Sequence, residues 1–254
     1  MRICLLLLVS LAMAQPIQEA FPGGYVDWTR GVLVISASGS QSAGAPKALQ
    51  VTEQEALNRL QAQVQDEQRL VRLDSEENAG DRMQDGDPIA AMLLESSGNF
   101  IISEARYYSS GRVELTAELP LHGWLRPALV DAARGDSNQA AARDYTGVLI
   151  DARGFSLQPS LAPKIKDPEG QVLYGLSSLS PQTAGEKMPV RWVGDPADPE
   201  ATETAGERPL ILSAQSVARG GDIVLNEEQA ALLIRVTRGT SLLPNARVVV
   251  VADP

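Results

Sequence analysis

Arg112-Val113-Glu114-Leu115-Thr116-Ala117-Glu118-Leu119 alternates polar with apolar side chains at a period of two. Successive side chains of a strand point to opposite faces, so this stretch predicts a strand with one face on a core and the other in water. Just upstream, Ser109-Ser110-Gly111 is a turn, and Asn99 to Tyr108 holds Phe100, Ile101, Ile102, Tyr107 and Tyr108. Apolar, β-branched and aromatic residues at that density favour strand, and the two segments make a hairpin with one wet face.

Upstream of the hairpin, Ile89 to Leu94 suits a short helix, and Asp74 to Asp81 with Gln84-Asp85-Gly86-Asp87-Pro88 forms an exposed acidic loop. Before the loop, Thr52 and Glu55 have the spacing of a capping box, and Leu57, Leu60, Val64 and Val71 recur at helical steps. That helix places one face on a sheet. Ala37 to Pro46 is a run of small and breaking residues, read as a loop, and Gly31-Val32-Leu33-Val34-Ile35 is a strand.

Downstream, 127–143 is rich in Ala, Gly, Ser, Asn and Asp without a firm period and reads as a linker. A second unit begins with the strand Tyr145 to Gly154. Asp167-Pro168-Glu169-Gly170 is a turn before Gln171-Val172-Leu173-Tyr174, and 177–209 reads as a proline-rich irregular excursion that contains one strand, Val190 to Val193. Leu210 to Ala214 and Ile223-Val224-Leu225 are strands. Asn226 with Gln229 caps a helix whose buried stripe is Ala230, Leu233, Ile234 and Thr237. Arg247-Val248-Val249-Val250-Val251-Ala252 is apolar across its middle, which predicts burial on both faces. The expected fold is therefore α+β in two small domains, 22–126 and 144–254, each a mixed or antiparallel sheet with one or two packed helices.

Met1-Arg2-Ile3, the apolar run Cys4 to Ala14 and the small-residue box Ala12-Met13-Ala14 have the order of a signal peptide, 1–14, cleaved before Gln15. The run is about 11 residues where a bilayer span needs roughly 20, so export to the periplasm or outer membrane is expected, with no transmembrane helix in the mature chain. Cys4 is the only cysteine, so the mature chain would lack disulfides, thiolate metal sites and a thiol nucleophile. A formal charge of -10 argues against nucleic acid as a partner, because phosphate binding rests on clustered Lys and Arg.

Gly31 to Ile35, the small-residue loop, the helix and the hairpin closing in Gly111-Arg112-Val113-Glu114-Leu115 together resemble the Lpp-twenty type of bacterial outer-envelope lipoprotein, and flagellar ring proteins of the FlgP type look similar. The second unit resembles the C-terminal extension of such proteins in Thr146 to Gly154, Leu157 to Ile165 and Arg247 to Val251. The resemblance implies a structural or assembly role in the envelope, through contacts with envelope proteins or a homo-oligomer, and supplies no catalytic residues. The chain departs from the family in lacking a lipobox cysteine.

The residue types that carry chemistry also have plainer readings here. His122 is the only histidine, but no G-x-S-x-G elbow supplies a nucleophile, and zinc would need mostly carboxylates beside it. Asp81, Asp85 and Asp87, with Asp74, Glu76 and Glu77, lack the spacing of a calcium loop and read as solvated, as do Asp195, Asp198 and Glu200 on what looks like an extended exposed segment. Arg134-Gly135-Asp136 lies in the linker and reads as chance. Gly220-Gly221 precedes a strand, which leaves nucleotide binding unsupported. Tyr25, Trp28, Trp124 and Trp192 suit cores or interfaces. Asp151 and Arg153 end an apolar strand on one face, and could form a structural ion pair or meet a ligand or partner. No cofactor, metal or catalytic residue is assigned. The mechanism expected is main-chain pairing at exposed strand edges such as Gly31 to Ile35 or Arg112 to Leu119. The alternatives are a hydrolase of envelope polymers built on Asp151, Glu114 and Glu118, which would need paired acids about 5 to 9 Å apart, and a module holding a small ligand between the domains.

Overall fold

The computed structural model describes residues 15–40, 49–83, 87–125 and 144–254. The expected signal segment 1–14 and linker 127–143 lie outside the described residues, as does Asp85. The architecture is α+β, with a few helices on one antiparallel, one parallel and one mixed sheet.

The first sheet is antiparallel. It contains β1 (Gln18–Phe21), β2 (Gly24–Asp27), β3 (Val32–Gly39), β4 (Ile101–Tyr107) and β5 (Val113–Pro120), in the order β1-β2-β3-β5-β4. On β5, Val113, Leu115, Ala117 and Leu119 are buried while the intervening residues are half-buried, which is the period-two pattern of its sequence. The helix α1 (Leu49–Glu67) covers this face over β3 and β5, burying Ala56, Leu60 and Val64. Two expectations need correction here. Ala37-Ser38-Gly39, read as loop, continues β3, because Gly39 still pairs with Val113 and a Cβ at Gly39 would stand 2.1 Å from the Thr52 carbonyl oxygen. The small residues mark a close approach of strand to helix rather than a break. Thr52 is not a cap, since α1 begins three residues earlier and buries its side chain. Likewise the helix ends before Val71, which is buried after a short 3-10 turn at Gln68–Leu70.

The acidic stretch read as loop contains α2 (Ala79–Arg82), begun by an Asn78–Asp81 capping box, and leads to α3 (Pro88–Ser96). In the second unit, β6 (Gly147–Asp151), β9 (Arg191–Val193), β10 (Pro209–Ser213) and β13 (Val248–Val251) form a parallel sheet ordered β10-β6-β13-β9. Parallel strands need crossovers, and helices supply cover on the faces. One of these is α5 (Pro199–Ala205), whose Ala201 and Ala205 pack on Leu149, Val193, Val249 and Val251. A Cβ at Gly147 would meet Ala205 Cα at 2.5 Å, so helix end and strand start touch through backbone. The opposite face, with Val148, Ile150, Trp192, Val248 and Val250, enters the main core. Burial of each valine contributes about 1.5–3 kcal/mol, which gives β13 a large share of the unit's stability.

The expected irregular excursion 177–209 is more ordered than its prolines suggest. It holds α4 (Pro181–Glu186), β9 and α5, with Ser180 and Asp198 accepting from backbone N–H groups of the first turns. Proline at the first helical position lacks only a donor that would be unpaired anyway. The helix α6 (Glu227–Thr237) starts as expected at Asn226, whose side-chain Oδ1 accepts from Gln229 N, but Ile234 is 49% exposed and leaves the buried stripe to Ala230, Leu233 and Thr237. The third sheet is mixed and joins β11 (Ser216–Ala218), β12 (Asp222–Val224), β7 (Ile165–Lys166) and β8 (Val172–Tyr174) in that order.

The main hydrophobic core is continuous across both units. Leu161 N and Ala162 N donate to the Arg72 and Leu73 carbonyls at 3.0 and 2.7 Å, a short ladder between the two halves of the chain. The Arg72 guanidinium bridges Glu19 (3.0 Å) and the Pro159 carbonyl (2.9 Å), Lys164 pairs with Asp74, and Arg219 pairs with Glu76. Arg191 donates to the Thr29 carbonyl at 2.7 Å. Trp28, Trp124 and Trp192 are all fully buried, as expected of core residues, and Trp192 Nε1 donates to the Ser160 carbonyl. Among the described residues, no helix is long and apolar enough to cross a membrane.

Candidate interaction surface

The strands named as docking edges are interior ones: β3 pairs with β2 and β5, and β5 pairs with β3 and β4. Val32–Ile35 of β3 and Val113–Glu118 of β5 are paired on both sides. The free edges of the first sheet are β1 and β4, and β4 differs from every other strand in having all seven residues exposed. Ile101 is 65%, Ile102 45% and Tyr107 53% exposed.

Register explains the double exposure. Ile102, Ala105 and Tyr107 stand opposite Ala117, Leu115 and Val113, the core-facing residues of β5, so they lie on the helix side of the sheet. Ile101, Glu104 and Arg106 stand opposite Glu118, Thr116 and Glu114 on the outer side. A bulge between Ile102 and Glu104 shifts the register at Ser103. Because α1 packs over β3 and β5, the helix side of β4 is left open, and Tyr107 meets α1 through its hydroxyl, which donates to Glu53 at 3.1 Å. That hydrogen bond to the carboxylate pushes the Tyr107 pKa up. On the outer side, Arg106 forms a bidentate pair with Glu104 at 2.7 and 2.9 Å.

Asp151 and Arg153 sit at the C-terminal end of β6 and bind each other. Arg153 Nε donates to Asp151 Oδ1 at 2.9 Å and Nη2 to Oδ2 at 2.5 Å, while the Arg153 backbone N–H adds a contact at 3.2 Å. The guanidinium holds the Asp151 carboxyl below the usual aspartate range, and the carboxylate raises the arginine in turn. Asp253 accepts from Gly154 N at 2.6 Å, so this rim ties the ends of β6 and β13 together.

The carboxylates of the hydrolase alternative are spread over two sheets. Glu114 and Glu118 are four residues apart on one strand, hence about 13 Å by strand rise, and Glu118 is clasped by Arg30 at 3.1 and 2.6 Å. Glu114 accepts from Tyr108 at 2.7 Å and Arg112 at 3.3 Å. Asp151, on the parallel sheet, is taken by Arg153. His122 is exposed beside an apolar groove lined by Leu121, Leu125, Leu161 and Leu179.

The acidic residues are placed by local structure. Asp74 accepts from the backbone of Glu76 and Glu77, Asp87 caps α3 and pairs with Arg82 at 2.6 Å, and Asp198 caps α5 from a buried position. The extended exposed segment expected around Asp195 to Glu200 is therefore a helix start. Among the described residues, no three His, Cys, Asp or Glu gather as a group able to hold a metal ion. Between the units, a cleft of about 150 Å³ is lined by Leu73, Asp74, Glu77, Arg82, Ile89 and Lys164 among others. Ligand pockets typically run to about 300–1,000 Å³, and the charged groups here are paired, Asp74 with Lys164 and Glu77 with Arg82.

The sequence reading named β3 and β5 as exposed edges and passed over β4, an edge strand. A signal was present: Ile101, Ile102, Tyr107 and Tyr108 crowd apolar groups onto both faces of a strand whose partner β5 alternates cleanly. Residues 147–254, from the first residue of β6 to the last of the chain, match the family described as the second domain of Treponema pallidum Tp0624. No curated protein matches the chain.

Proposed function

We propose that this chain is an exported bacterial envelope protein with a structural or assembly role, and that it works through protein–protein contacts in which the free edge of β4 accepts a neighbouring strand. The observation that carries the reading is β4 itself: an edge strand with every residue exposed and with Ile101, Ile102 and Tyr107 open to water. An uncovered edge offers a row of backbone donors and acceptors, and exposed apolar side chains beside it supply the burial that makes pairing favourable. Export rests on the order of charged residue, apolar run and Ala12-Met13-Ala14, and the assembly role on the resemblance to Lpp-twenty and FlgP-type proteins.

A photoreactive side chain in place of Tyr107, irradiated in intact cells, tests this directly. The expected result is a covalent adduct with protein in the envelope fraction, and none from the same probe at Val172, an exposed position on β8. No adduct at Tyr107, or equal adducts at both positions, would overturn it.

A further inference from the structure

We infer that the strand accepted by β4 is β4 of a second copy of this chain, paired antiparallel about a two-fold axis that passes through Ala105. This rests on the proposed reading of the β4 edge. Under a two-fold axis normal to the sheet, directly opposed residues must lie on the same face, so one residue of β4 falls on the axis and its neighbours pair across it. With Glu104 on the axis, glutamate opposes glutamate; with Arg106 there, arginine opposes arginine. Like charges directly opposed destabilise a pair of strands. With Ser103 on the axis Glu104 falls opposite Ile102 and Arg106 opposite Phe100, and with Tyr107 there Arg106 falls opposite Tyr108 and Glu104 opposite Ser110, so neither charge meets its complement.

Ala105 on the axis sets Glu104 of each copy opposite Arg106 of the other. The intrachain pair at 2.7 and 2.9 Å then becomes part of a closed network of two carboxylates and two guanidiniums on the outer face. On the helix side the axis carries the small Ala105, flanked diagonally by Tyr107 from each copy, within the reach of aromatic side chains. Bulges and charges also serve to protect edges, but inward-pointing charge, another such guard, is absent from the described helix side of β4, which presents Ile102, Ala105 and Tyr107. The bulge at Ser103 does have a consequence: it ends the regular ladder close to the axis. The contact is short, and the dimer weak and dependent on concentration.

Sedimentation velocity over a wide concentration range tests the inference on the whole chain. The wild type is expected to pass from monomer to dimer as concentration rises. Arg106→Glu replaces two opposite-charge pairs by two like-charge pairs and weakens the dimer by about tenfold or more. The swap Glu104→Arg with Arg106→Glu restores it. Both positions are exposed, so thermal melts of the variants check that folding is unchanged. A wild type that stays monomeric, a dimer indifferent to Arg106→Glu, or a swap that fails to restore it would each overturn the self-pairing. A monomer whose Tyr107 probe still captures other envelope proteins overturns the self-pairing and leaves the proposed function standing, whereas a monomer without adducts overturns both.

Discussion

β4 and β13 are both short strands rich in apolar residues, and they lie at opposite extremes of exposure. Every residue of β13 is wholly buried, because it sits between β6 and β9 with α5 on one face and the main core on the other. Every residue of β4 is exposed, because it ends a sheet whose covering helix packs over its neighbours. Side-chain chemistry alone does not separate Ile102 from Val250. What separates them is the number of layers around the strand, and so the cost of a charge placed there.

The comparison is broken most forcefully by an aspartate on each strand. Val250→Asp puts an unpaired carboxylate in the core and is expected to cost more than about 4–5 kcal/mol, enough to remove the cooperative urea transition, whereas Ile101→Asp changes stability by no more than about 0.5 kcal/mol. Equal losses in the two variants would mean that β4 is covered in the folded chain.

A buried charge that already has its partner lies between these extremes. Asp222 is 1% exposed and meets Lys166 Nζ at 2.5 Å, joining β12 to β7. Lys166→Met strands that carboxylate and should cost about 3–5 kcal/mol in urea unfolding at neutral pH. A loss under 1 kcal/mol would show that water reaches the pair.

Among the ion pairs the smaller effect belongs to Asp87–Arg82, where Arg82 is about a third open to water. The guanidinium holds the Asp87 carboxyl below the usual aspartate range. A depressed folded pKa stabilises the fold fully above the unfolded aspartate value, about 3.9, and the gain is lost as pH falls through the folded pKa. Arg82→Met should therefore cost within about 1 kcal/mol at pH 7, and the difference from wild type should shrink in acid. An Asp87 carboxyl titration by NMR that does not move upward in the variant would contradict this.

Sequence pattern reached the strands whose environment is written in their own side chains. The alternation in β5 and the unbroken valines of β13 each state how many faces are buried. The exposure of β4 is not written that way, since it depends on how far α1 extends across the sheet. Nor could the sequence distinguish Ala37-Ser38-Gly39 as a loop from a strand pressed against a helix, because both call for small residues. Prolines misled for a related reason. Asp87-Pro88, Ser180-Pro181 and Asp198-Pro199 each place a capping side chain before a proline at the first helical position, and two of these three starts were read as irregular chain. Asp151 and Arg153 do pair, as the sequence allowed, but Arg153 lies in the turn after β6 rather than on the strand's face.

The short ladder from 72–73 to 161–162 also sets an order of events. Arg72 finds its acceptor at Pro159, 87 residues further along the chain. At a synthesis rate of about 5–20 residues per second, the later segment follows by roughly 4–17 s. During that interval the first sheet can assemble around α1, while the amino acids after α1 hold a surface with no counterpart. The seam therefore closes only once residues 159–162 exist, and until then the Arg72 and Leu73 carbonyls lack the donors that the folded chain gives them.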